Sequence, residues 1–195
     1  MFTRLANAII RFSTGPVALA ALIAFLAFGA LVLPGQSQAA AAYSGDAGSP
    51  DTSFIYTPAD LQRMAETYGA EGRAAYVRAR WQFDILFPVV YTAFLLTALG
   101  WAAARAFRPA SRGRLVVLLP LAGALFDLLE NLCAALYMAL YPPAVGLLAF
   151  LAPVFTILKW LSLYAAFGLL AGMLIAVLWG SLKPRKAKTA KGGSS

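Results

Sequence analysis

Apolar residues run in four long blocks, with polar stretches between them. Blocks of this length predict membrane-crossing helices, because about 20 residues at 1.5 Å each cover the hydrocarbon core. The first block runs from Pro16 to Leu33, and Pro34-Gly35 closes it. It predicts a span over Pro16–Pro34, behind a short N-terminal stretch, residues 1–15, that holds Arg4 and Arg11. A cleaved signal peptide is the competing reading, with a small-residue exit at Ser37-Gln38-Ala39-Ala40. The apolar part is longer than the usual signal core, which favours a retained helix. The other blocks predict spans over Phe83–Ala106, Leu115–Leu140 and Val154–Gly180. Pro88 bends the second, and Pro153 divides the last block, which is too long for one crossing. Tyr141-Pro142-Pro143 predicts a tight connection ahead of it.

Residues 35–82 read as one outer loop carrying a surface helix. Gln36–Asp51 is rich in Ala, Gly and Ser without periodicity, so it predicts a loop. Thr57-Pro58-Ala59-Asp60 then has the order of a helix start: a capping hydroxyl, a proline at the first position, and a carboxylate at the positive end. Leu61, Met64, Ala65 and Tyr68 share a face, predicting an amphipathic helix on the membrane surface. Gly69 and Gly72 are expected to interrupt it, and a second helix from near Glu71 is expected to run straight into the next span. The basic tail, Lys183–Ser195, is expected to be disordered. The fold class is therefore all-α, a single polytopic bundle of four transmembrane helices with an extracytoplasmic amphipathic helix.

Composition agrees with this class. The chain is 61% hydrophobic and 12% charged, against about 25% charged in soluble domains. It has no histidine, so histidine-held haem, zinc or di-iron and a Ser-His-Asp triad are excluded. Its one cysteine, Cys133, excludes dithiol redox chemistry within the chain and reads as a small apolar filler. No cofactor and no metal is expected.

Charge gives the expected orientation. Eleven basic residues fall on one side of the four-span layout, namely Arg4, Arg11, Arg105, Arg108, Arg112, Arg114, Lys183, Arg185, Lys186, Lys188 and Lys191. All eight acidic residues fall on the other side or within the spans. The positive-inside rule then places both termini in the cytoplasm of a cell bounded by a bacterial inner membrane. The net charge of +8 suits anionic lipid headgroups rather than nucleic acid, for which no motif is present.

Candidate chemistry sits inside the spans. Asp127, Glu130 and Asn131 share one face of the third span, at helical spacings of three and four. Carboxylates in a bilayer cost about 3 kcal/mol each on insertion scales, so they persist when paired, hydrated or used. Asp84, Pro88 and Tyr91 share a face of the second span, and that face extends back to Arg80, Tyr76 and Arg73. Thr156, Lys159 and Ser162 share a face of the fourth. At 1.5 Å per residue, Tyr91 and Asp127 come out about 20 Å above the basic side, Glu130 and Asn131 about 25 Å, and Asp84 and Lys159 about 30 Å. These depths predict a pocket in the outer half of the bilayer, open to the extracytoplasmic side. Lys159 either snorkels outward or reaches Glu130. Asp127 and Glu130 face at most one buried lysine, so one of them holds a proton or a second cation helps, with Arg80 the nearest.

Three functions fit. The first is binding or transport of a small amphiphile or a cation, with coupled protonation, through Asp127, Glu130, Asn131, Tyr91, Asp84, Lys159 and Arg80. The second is an isomerase-type lipid-modifying enzyme with Glu130 as acid or base. The third is a structural or accessory subunit in which the polar residues are only a clasp that fixes helix register. The residues supply no nucleophile, which puts the binder ahead of the enzyme. Tyr137, Tyr141, Trp81, Trp101 and Trp179 read as interfacial anchors. Gly168 and Gly172 form a GxxxG, either a homodimer seam or a close contact within the chain.

The runs Tyr56-Thr57-Pro58 to Tyr68–Arg73, Phe83-Asp84 to Phe87-Pro88 and Tyr91, with Asp127-Leu-Leu-Glu130-Asn131 and Lys159, resemble a group of uncharacterised bacterial four-span integral membrane proteins. The resemblance covers roughly Tyr56 to Trp160 and implies the fold without an activity. In layout alone the chain is similar to the sterol-isomerase and sigma-2-receptor type of four-span protein.

Overall fold

A computed structural model describes residues 1–50, 53–142 and 146–182, with side chains to Trp179. Expectations for Asp51, Pro143, Ala144 and the tail Lys183–Ser195 fall outside the described residues. The fold is an all-α bundle, with four helical stretches long and apolar enough to cross a membrane. Seven α-helices occur among the described residues: α1 (Phe2–Phe12), α2 (Gly15–Leu31), α3 (Leu33–Ser44), α4 (Pro58–Gln82), α5 (Leu86–Ala106), α6 (Leu119–Leu140) and α7 (Gly146–Leu182). A short 3-10 segment, Arg112–Leu118, leads into α6.

Two helices correct the sequence reading. The stretch expected to be a loop is largely α3: Pro34 opens this helix rather than closing the previous one, because proline is well suited to a first helical turn. Its Ala-rich composition has high helix propensity, which wins over the lack of an amphipathic pattern. The N-terminal stretch is also helical. In α1, Ala6 and Ile10 are buried against α5 and the 3-10 segment, and Asn7 accepts a hydrogen bond from Arg114 at 3.2 Å. Gly100 of α5 makes room for this contact; a Cβ there would meet Ser13 Oγ at 2.2 Å.

The α4 start is as the sequence predicts. The Thr57 hydroxyl accepts from the Asp60 N–H at 3.1 Å, and the Asp60 carboxylate accepts from the Thr57 N–H at 2.9 Å. Gly69 breaks the helix with φ 62°, a conformation that disfavours any side chain. Arg73 ties the two sides of this kink by donating to the Ala65 carbonyl at 2.8 Å. Gly72 does not interrupt the helix. It lets α3 approach, since a Cβ there would lie 3.3 Å from Tyr43 Cβ. The passage into the next span is a turn at residues 83–85, so α5 begins at Leu86.

The apolar face of α4 is buried by protein rather than resting on a membrane surface. Leu61, Met64, Ala65 and Tyr68 pack with Cys133, Ala134, Met138 and Ala152 of α6 and α7. Tyr137 belongs to this cluster too, at 6% exposed, so it is not an interfacial anchor. A second apolar cluster fills the opposite end, joining α1, α5, α7 and the 3-10 segment around Leu95, Leu99 and Ala166. Pro153 does not divide the last block: α7 passes through it unbroken. Proline is tolerated in such helices when neighbouring groups satisfy the freed carbonyl. Gly168 and Gly172 have open space where a Cβ would be, so they serve no close contact within the chain.

Candidate functional site

Between the two apolar clusters lie polar and charged groups of α4, the turn after it, α5, α6 and α7. One face of α6 supplies Asp127, Glu130 and Asn131, all buried, while Leu125, Leu128, Leu132 and Leu136 face outward. Helical periodicity alone produces this division. Gly123 lets α7 come close below the site, where a Cβ would meet Leu163 at 3.0 Å.

Lys159 of α7 reaches inward. Its ammonium pairs with the Glu130 carboxylate and lies 3.4 Å from Asp127 Oδ1. Asp127 also accepts from the Tyr91 hydroxyl at 2.9 Å and from the Asn131 amide at 3.4 Å. Arg80 of α4 pairs with Asp84 at 2.6 Å, stacks on the Tyr76 ring at 4.5 Å, and donates to Asn131 Oδ1 at 3.4 Å. The seven residues singled out in the sequence thus form one connected network, in which Asn131 bridges Arg80 to Asp127. Arg73, on the extended stripe, points away and stacks on Tyr141 at 4.8 Å. Thr156 and Ser162 bond the carbonyls of their own helix, at 3.0 and 2.8 Å.

A cavity of about 200 Å³ opens beside this network. Since a water needs roughly 15 Å³ by this measure, the space holds on the order of ten waters. Arg80, Asp84, Tyr91, Asp127, Asn131 and Lys159 line one wall. The facing wall is α3, through Leu33, Gln36, Ser37, Ala39, Ala40 and Tyr43. Glu130 does not line the cavity and is wholly buried behind Lys159.

The α3 wall is the part that sequence reasoning missed. A helical run of alanines is its signal, but nothing in such a run marks a cavity-facing side. Tyr56, in the segment before α4, is a second omission. Burial, and then the negative charge of Glu130, holds its hydroxyl far above the ordinary phenol pKa.

The network contains three carboxylates and two cations among the described residues. Arg80, expected as the helper of Asp127 and Glu130, is instead paired with a third carboxylate, Asp84. Its inclusion leaves the formal charge one unit negative. Compared with family models, curated proteins and solved structures, the chain gives no significant match. The chain is a multi-pass membrane-type bundle with buried charges, and its reading rests on its own geometry.

Proposed function

We propose that this protein binds a small amphiphile, with coupled protonation, in a cavity open to the extracytoplasmic side of a cell membrane. One observation carries the reading: a cavity of about 200 Å³ with charged groups on one wall and a largely small-residue helix on the other. Pockets of mixed lining hold a ligand by apolar contact and orient it by a few polar groups. The odd negative charge gives the site a reason to exchange a proton or accept a cationic group when its occupant changes. The distribution of basic residues supports the orientation, with both termini cytoplasmic. Transport by four spans would call for a second copy, and the open Gly168–Gly172 face of α7 offers a homodimer seam.

A purely structural role has one observation in its favour. Glu130, which does not line the cavity, pairs with Lys159 and fastens α6 to α7. Thermal unfolding of the purified protein with dodecyl amphiphiles of cationic, zwitterionic and anionic headgroups separates the readings. At 100 times its Kd, a bound amphiphile adds about 2.7 kcal/mol of stability. We expect a shift for one headgroup class, changing with pH and lost in Asp127→Asn. Identical shifts in the native and Asp127→Asn proteins, at every pH, leave only the structural role.

A further inference from the structure

The cavity has a second, smaller neighbour. A cleft of about 30 Å³ lies between the α4–α5 turn and α6, lined by Arg80, Trp81, Ile85, Leu128, Asn131 and Leu132. Arg80 and Asn131 line both spaces, so these two side chains are their common wall. The outer rim of the cleft is apolar and faces away from the protein: Trp81 is 56% exposed, Ile85 and Leu128 44%, and Leu132 39%. In a membrane-crossing helix such a surface meets acyl chains.

The wall is unevenly fastened. Arg80 is held by Asp84 at 2.6 Å and by the Tyr76 ring. Among the described residues, Asn131 is held by contacts of 3.4 Å, one to Arg80 and one to Asp127. Both lie beyond the usual hydrogen-bond range of 2.7–3.2 Å. The Asn131 amide is therefore the less firmly held half of the wall between the polar cavity and the apolar cleft. The cavity wall itself carries charges of both signs, Arg80 and Lys159 against Asp84 and Asp127. A headgroup of one sign would leave half of these groups opposed to it, whereas a zwitterion addresses both.

Resting on the binding function proposed above, we propose that the ligand is a single-chain zwitterionic lipid. Its headgroup occupies the cavity, and its chain leaves sideways past Asn131 into the bilayer along Ile85, Leu128 and Leu132. The cleft decides between this class and a water-soluble cation, which has no use for a lateral exit.

The test places the full chain in nanodiscs with a lysophosphatidylethanolamine that carries a photoreactive group on its acyl chain. Crosslinks are expected on Trp81, Ile85, Leu128 and Leu132. Leu128→Trp, which fills the cleft from an exposed position, should cut labelling about fivefold. Leu125→Trp, exposed on the same helix but outside the cleft, should leave it unchanged. Chainless glycerophosphoethanolamine should compete at least tenfold more weakly than the lysolipid. Equal labelling of the outer faces of α2 and α7, or no effect of Leu128→Trp, overturns the lateral route. Equal competition by the chainless compound overturns the lipid class and leaves the binding function standing. Absence of both labelling and any amphiphile-induced stabilisation removes the binding function as well.

Discussion

Glu130 and Asp84 are both carboxylates inside the bundle, and each has one cation as its partner, yet their surroundings differ. Glu130 is wholly buried, pairs with Lys159, and sits behind the cavity wall. Asp84 pairs with Arg80 on the wall itself, with 15% of its side chain exposed. The first pair joins two neighbouring helices, α6 and α7, where the bundle packs most extensively. The second spans the junction between α4 and α5, four residues apart, and adds no long-range connection. Under the proposed binding function, the contrast separates a charge that holds helices together from a charge within reach of a ligand. Low dielectric raises the stakes for both, but only Glu130 has no cavity water to fall back on.

The largest effect should come from breaking the Glu130–Lys159 pair on one side. Lys159→Met strands Glu130 and should cost about 3–5 kcal/mol. Titration with a denaturing detergent, followed by far-ultraviolet circular dichroism, measures it. Adding Glu130→Leu should recover most of the loss, since an apolar pair of similar volume is a tolerable substitute there. A double variant as unstable as the single one would deny that Glu130 is sealed.

Next in size is the α3 wall. Gly72→Val puts side-chain atoms where Tyr43 and Tyr68 already pack, and overpacking of this kind costs about 1–3 kcal/mol. It should also push α3 outward and weaken amphiphile binding more than any change at Glu130 that preserves stability. The same unfolding assay, with and without amphiphile, reads both effects.

The smallest stability effect should be at the cavity pair. Asp84→Asn removes a charge-assisted bond from Arg80, which keeps Tyr76 and Asn131, and should cost about 1–2 kcal/mol. Binding should suffer more, by about tenfold. The reverse pattern, a large stability loss with binding intact, would erase the distinction between the two carboxylates.

Much of this contrast could be read before any coordinates. Spacings of three and four put Asp127, Glu130 and Asn131 on one face of a helix, and 1.5 Å per residue set Tyr91 level with Asp127, where a 2.9 Å hydrogen bond joins them. The direction of Lys159 was open between two choices, and the structure takes the inward one. Which carboxylate is sealed could not be read, because it depends on how far α3 stands from the network. α3 itself was hidden because hydropathy responds to its polar and glycine residues, while its alanines speak only through helix propensity. Pro153 misled for a related reason: a proline breaks a helix in water more readily than inside a packed apolar bundle. The α4 face read correctly as amphipathic, but its partner, protein rather than lipid, is a tertiary fact that periodicity does not carry.

The most direct check of a cavity reached from one side, with a sealed carboxylate behind it, is thiol accessibility in intact cells. In a Cys133→Ala background, single cysteines replace Ala40 or Ala79 in the cavity wall and Thr156 beside the sealed Glu130. A membrane-impermeant maleimide added from outside should label the Ala40 and Ala79 positions and spare Thr156. Labelling of Thr156 at the same rate, or labelling of Ala40 and Ala79 only in inverted vesicles, would be incompatible with this arrangement.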